Sequence, residues 1–227
     1  MKLARLTLVR VLPLVAAAAL LPISARSAHA CGMSVGLEEV AKPTPVQEIA
    51  RAEKSLENGQ NVAAARTVLA TFAAIRNTQA GGNPLETRAM RVFAMAVVRT
   101  AGNIREVKKR EALDWTPAAN VEWAIQALRE IDAKRPNDPT VQADLGEALS
   151  AVTHGQAEAL EILGKLADKD LMGSPFAYAA LARLRSQKGD AAGAEAASKR
   201  CVEMTKTPGV CKPAAPKGTT TTVAAKV

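Results

Sequence analysis

The chain has 227 residues, of which 48% are hydrophobic but only 3% aromatic, and it carries a formal charge of +8. That composition supports a buried core of Ala, Leu, Val and Ile rather than of rings, and it excludes a chain too polar to fold. Half of the charge comes from Lys2, Arg5, Arg10 and Arg26, which face no acid within residues 1–30, so the remainder is only mildly basic. Its densest basic cluster, Arg105 to Arg110, is diluted by Glu106 and Glu111. Nucleic-acid binding calls for a clustered basic stripe, and no nucleic-acid partner is expected.

At the start, the charged residues precede an uncharged run from Val11 to Ala25, interrupted by Pro13 and Pro22. The run is shorter than the ~20 apolar residues of a membrane-spanning helix. Ala28-His29-Ala30 has the small-x-small form of a cleavage site. Residues 1–30 therefore read as a signal peptide cut after Ala30, and the protein as periplasmic or secreted. Cys31 would be the first mature residue, where bacterial lipoproteins are acylated. The alternative is thus an outer-membrane lipoprotein, an envelope assembly factor anchored through Cys31, and only then is a membrane a partner. Arg26, Ala28 and His29 depart from the usual lipoprotein signal.

Residues 31–43 form a short leader. From there, five capping residues stand directly before a proline: Thr44-Pro45, Asn83-Pro84, Thr116-Pro117, Asp138-Pro139 and Ser174-Pro175. Proline lacks an amide hydrogen and has a helical φ, which suits the first helical position. The residue before it can accept a bond from a free N–H of the first turn. Thr44 with Gln47 makes a capping box, and Ile49, Ala52 and Leu56 phase a first helix that ends at Asn58-Gly59. Val62, Ala65, Leu69 and Phe72 phase a second, broken by Ala80-Gly81-Gly82. Pro84 opens a helix to about Thr100 with Leu85, Ala89, Val92, Phe93 and Ala96 on one side. Residues 104–116 are undecided between a charged helix and a loop.

Pro117 starts the next helix, phased by Val121, Ala124, Leu128 and Ile131 and closed by Lys134-Arg135-Pro136. Leu145, Leu149 and Val152 phase a helix from Pro139 to the turn at His154-Gly155. Ala159, Leu163 and Leu166 phase its partner. Phe176, Ala180, Leu181 and Leu184 follow, and a last helix runs from Ala191 to about Thr205. No stretch alternates like a strand. Residues 207–227, rich in Pro, Ala, Lys and Thr, are expected to be a disordered tail. Cys201 and Cys211 flank Pro208-Gly209, and a disulfide between them is the expected pairing; joining Cys31 to either is the competing one.

Three of the four spacings between the five prolines lie near the ~34-residue period of helix-turn-helix repeats. The segment from Tyr178 through Leu181-Ala182, Gly189-Asp190 and Ala194 to Pro208 resembles a tetratricopeptide repeat. So does the stretch with Leu145-Gly146, Leu149, Ala159 and Leu163, while Ala124, Leu128 and Pro136 match a second helix. Residues 44–72 match weakly, and 84–116 poorly. The resemblance implies an all-α fold over residues 44–206, a right-handed stack of antiparallel hairpins. Gly146, Ala182, Ala159 and Ala194 would be the small residues that let each hairpin close. It also implies a concave groove for a protein or peptide partner. Placing that face on this chain points to Lys54, Arg88, Glu147, Arg183 and Gln187.

The chemistry of a catalytic centre is sparse. Beyond Ala30 one histidine remains, His154, beside a turn, with no second histidine or cysteine cluster to complete a zinc site. No metal or cofactor is expected. Gly32-Met33-Ser34-Val35-Gly36 fits the G-x-S-x-G nucleophile elbow, but that elbow needs a preceding strand and a sheet, and the expected cut leaves no room for one. An envelope enzyme pairing Ser34 with His154 is the remaining alternative. The reading adopted is a non-enzymatic scaffold.

Overall fold

Five helices start on the Xaa-Pro pairs named above. The computed structural model describes residues 42–104, 116–205 and 207–211. The five capping side chains all accept a first-turn amide, and Pro45, Pro84, Pro117, Pro139 and Pro175 each open a helix. Thr44 forms the full capping box: Gln47 N–H donates to Thr44 Oγ1 at 3.3 Å, and Thr44 N–H donates to Gln47 Oε1 at 2.8 Å.

The helices are α1 (Pro45–Glu57), α2 (Asn61–Thr71), α3 (Pro84–Arg99), α4 (Pro117–Lys134), α5 (Pro139–Leu149), α6 (Gln156–Asp168), α7 (Pro175–Gln187) and α8 (Ala191–Met204). Short 3₁₀ turns lie at Ile75–Asn77, Thr153–Gly155 and Pro208–Cys211. There is no strand among the described residues.

Each helix packs on its successor, most extensively as α1/α2, α3/α4, α5/α6 and α7/α8. The first members of these pairs also pack on one another, α1 on α3, α3 on α5 and α5 on α7. This all-helical arrangement is compatible with an α-solenoid. Gly146 sits where α5 and α6 meet: a Cβ there would lie 2.7 Å from Leu163 Cδ2. The closeness that small residues were expected to allow is therefore present at this pair.

Two helices are buried on more than one face. Every residue from Val92 to Val98 of α3 is buried, and so is every residue from Ala143 to Ser150 at the end of α5. Helix α3 packs against α1, α2, α4 and α5, and α5 against α3, α4, α6 and α7, so neither keeps a solvated side over that stretch. The sequence reading had placed a single apolar side on each.

Helix α2 ends at Thr71, before the expected break at Ala80-Gly81-Gly82. The chain turns so that Ile75 is fully buried, and Trp123 of α4 fixes the turn by donating Nε1–H to the Arg76 carbonyl at 3.2 Å. Trp123 also meets Phe93 edge-on, with ring centroids 5.4 Å apart. At the other end, Cys201 and Cys211 form the expected disulfide. It carries described structure to Cys211, past the boundary drawn at residue 206.

Candidate functional site

Along the first helices of the four pairs runs a row of arginines, each reaching to a neighbouring element. Arg88 of α3 grips both carboxylate oxygens of Glu53 on α1. Arg99, closing α3, donates Nε–H and Nη2–H to the two oxygens of Glu147 on α5 at 2.8 and 3.0 Å. Its Nη1–H reaches the Leu56 carbonyl of α1 at 3.3 Å. Arg183 of α7 donates to the carbonyl and the hydroxyl of Ser150 at 3.0 and 2.9 Å. The Ser150 hydroxyl in turn donates to the Glu147 carbonyl at 2.6 Å.

Arg91, also on α3, is held through one nitrogen only. It donates Nε–H to Asp144 Oδ2 on α5, while its Nη1 and Nη2 meet no partner among the described residues. The side chain is 35% exposed, whereas Asp144 beneath it is 5% exposed. Burial raises the Asp144 carboxyl above the usual carboxylate range, although Arg91 pulls it down. Burial also works to lower the Arg99 pKa, but Glu147 and Asp144 together outweigh it and the guanidinium is held higher. For Arg183 burial alone acts, and it lowers the group.

A cleft of about 740 Å³ opens along this row. It is lined by the end of α1 with Lys54, by Arg91 and Met95 of α3, and by the first turns of α5 and α7 with Thr140 and Phe176. The chain leaving α8 completes it, through Met204, Thr205 and Thr207. The Arg99 guanidinium lies 3.6 Å from the centre of the Phe176 ring, so α3 and α7 meet beside the cleft.

Of the five groove residues expected from sequence, Lys54 lines the cleft, with Glu57 3.8 Å away. Arg88, Glu147 and Arg183 lie on the first helices, but each is bonded within the row itself. Glu147 is buried rather than displayed. Gln187 is exposed at the C-terminal end of α7. The sequence reading missed Arg91, Asp144 and Arg99. Their signal was available as charges standing inside apolar runs, next to Met90 and Val92, to Leu145, and to Val97-Val98.

His154 sits exposed in its turn, with Nε2 3.6 Å from Glu122 Oε1. Among the described residues there is no group of three or more metal-ligating side chains, and no helix long and apolar enough to cross a membrane. The expected signal peptide and the expected cut after Ala30, together with Cys31, Ser34, Arg105–Arg110 and residues 212–227, lie outside the described residues. No protein-family model, curated protein or solved structure matches the chain.

Proposed function

We propose that this is an exported, non-enzymatic binding protein that holds an extended segment of a partner protein. In this reading α1/α2, α3/α4, α5/α6 and α7/α8 are four tetratricopeptide-like hairpins in a right-handed stack, and the cleft along their first helices receives the segment.

The observation that supports the reading is the open edge of Arg91. Arg88, Arg99 and Arg183 are each committed to neighbours. Arg91 is held on one side by Asp144 and lines the cleft with its two terminal nitrogens unpaired among the described residues. A carboxylate fits that planar fork with two parallel hydrogen bonds. Val92, Met95 and Ala143 line the same cleft and suit apolar neighbours of the acidic residue. The ligand class is therefore an extended peptide with an Asp or Glu between apolar side chains.

Selection of a displayed random-peptide library on the mature chain tests this. Peptides of that class should be enriched, and their affinity should fall at least ~10-fold on Arg91→Ala, the loss of a charge-assisted pair. Thr140→Arg, which fills the cleft from an exposed position, should block them while leaving Arg91 in place. No enrichment, or binding undiminished by both substitutions, refutes the reading.

A further inference from the structure

The cleft has one lining segment that differs from the rest in how it is held. Helices α1, α3, α5 and α7 are fixed by their own backbone ladders and by the arginine row. Residues 205 and 207–211 are not. Thr205 N–H bonds back to the Cys201 carbonyl at 3.2 Å, and Val210 N–H to the Thr207 carbonyl at 3.1 Å. Thr207 N–H donates to Thr205 Oγ1 at 2.9 Å. All of these bonds stay within the segment and the end of α8; among the described residues, none reaches α7.

The segment nonetheless packs on α7 through the turn Pro208–Cys211. Val210 packs on the core there, and the disulfide ties the end of the segment to α8. Cys201 is fully buried on α8, with Sγ 3.1 Å from the Pro175 carbonyl oxygen at the start of α7. Cys211 is bonded to it and is 8% exposed. Pro175 and Phe176 on one side, and Met204, Thr205 and Thr207 on the other, line the cleft. The disulfide therefore fastens a cleft wall that carries no hydrogen bond to α7 among the described residues.

We propose that the Cys201–Cys211 disulfide is a redox-operated clasp, and that its reduction by a dithiol releases residues 205–211 from α7 and opens the cleft beside Phe176 while the helices stay packed. The thiolate of the dithiol attacks Sγ of Cys211, the less buried of the two cysteines. This forms a mixed disulfide and expels the Cys201 thiolate, which takes up a proton. The second thiol of the dithiol then attacks its own sulfur in the mixed disulfide, frees Cys211 as a thiol and closes the reductant into a disulfide. Two electrons and two protons pass to the protein. The clasp does not depend on the peptide-binding reading, since it concerns how the wall is held and not what the cleft receives.

Hydrogen exchange read by mass spectrometry on the mature chain tests it, with Cys31 alkylated beforehand. Three samples are compared: oxidised protein, protein reduced with dithiothreitol in native buffer, and Cys201→Ser/Cys211→Ser. In the last two, amides of residues 173–180 and 203–211 should exchange on the order of tenfold faster or more, as for a locally opened segment freed of its cross-link. Amides of α1 to α6 should be unchanged. Three results overturn the proposal. The disulfide could survive dithiothreitol in the folded protein. Exchange at the wall could be the same with and without the bond. Or exchange could rise throughout α1 to α6, which would make the bond a staple of the whole fold.

Discussion

Glu147→Leu isolates the buried end of the arginine row. In the native protein the Arg99 and Glu147 side chains are 9% and 8% exposed. Two charge-assisted hydrogen bonds join them. Replacing Glu147 by leucine leaves Arg99 with the Leu56 carbonyl and the face of Phe176 as partners, and its one remaining acidic neighbour on α5, Asp144, is already bonded to Arg91. Breaking a buried pair in this way costs about 3–5 kcal/mol, mostly because a charge stays buried without its partner. For a chain of this size that corresponds to a fall in Tm of roughly 10 °C. Arg99→Met should cost a similar amount. The double substitution removes both charges and fills the space with apolar atoms, and it should return to within ~1 kcal/mol of the native protein. Urea unfolding followed by far-ultraviolet circular dichroism, with the disulfide intact, gives all three values. The coupling between the two sites should exceed about 3 kcal/mol. Single losses below ~1 kcal/mol would mean that the pair behaves as an exposed one. A double variant as unstable as the sum of the singles would mean that the two charges do not depend on each other. Either outcome refutes the reasoning.

Other substitutions test the packing, the caps and the buried acid. Gly146→Ala should lose ~1–2 kcal/mol in urea unfolding, because the added Cβ meets Leu163 at 2.7 Å and overpacking outweighs the gain in helix propensity. Gly164→Ala on α6 is its control: nothing lies within 4 Å of that Cβ, so stability should rise by up to ~1 kcal/mol. Asp138→Ala removes the bonds to the Thr140 and Val141 amides and should cost ~1 kcal/mol by the same assay. Asp144→Asn should change the pH dependence. Burial raises this carboxyl in the folded protein, so the native state holds its proton more readily than the unfolded chain does. The native protein should therefore lose stability relative to Asp144→Asn as pH rises from the ordinary carboxylate range through the raised value, and the gap should then stay constant. Urea midpoints from about pH 4 to about pH 8 that move in parallel for the two proteins would show that Asp144 contributes no such linkage.

Five of the helix starts were legible because each is encoded within four residues. A capping side chain, a proline and the first-turn amides decide the matter locally, and all five such pairs were read correctly. The end of α2 was not legible, because its cause is remote. Phe72 and Ile75 continue the helical spacing, and no breaker occurs before Ala80-Gly81-Gly82. The turn exists because Trp123 bonds the Arg76 carbonyl and Ile75 finds a buried place, and both belong to tertiary packing. Of the candidate site, the helices that carry Lys54, Arg88, Glu147 and Arg183 were legible. Their engagement was hidden, since pairing depends on which helix lies alongside. Arg91 and Asp144 stand 53 positions apart, and no local pattern joins them.

The row of ion pairs also answers a difficulty that the composition creates. Alanine and short aliphatic side chains make a helix surface that is nearly uniform along its length. If α3 slid along α5 by one turn, about 5.4 Å, much the same apolar area would be buried. Hydrophobic contact, which is non-directional, discriminates poorly between those positions. The polar row discriminates strongly. Arg91 and Arg99 stand about two turns apart on α3, while Asp144 and Glu147 stand about one turn apart on α5. Because the two spacings differ, a slide that preserved one pair would strain or break the other, and the stranded charges would stay buried. Against an apolar replacement the pairs are close to neutral for stability; against a shifted register they are decisive. The same constraint orients Arg91. Its Nε is held by an acid that is itself fixed in the core, so the remaining nitrogens line the cleft in a set position. Register and the shape of the cleft wall are thus set by one group of side chains, and loss of Asp144 should be felt at the cleft before it is felt in the fold.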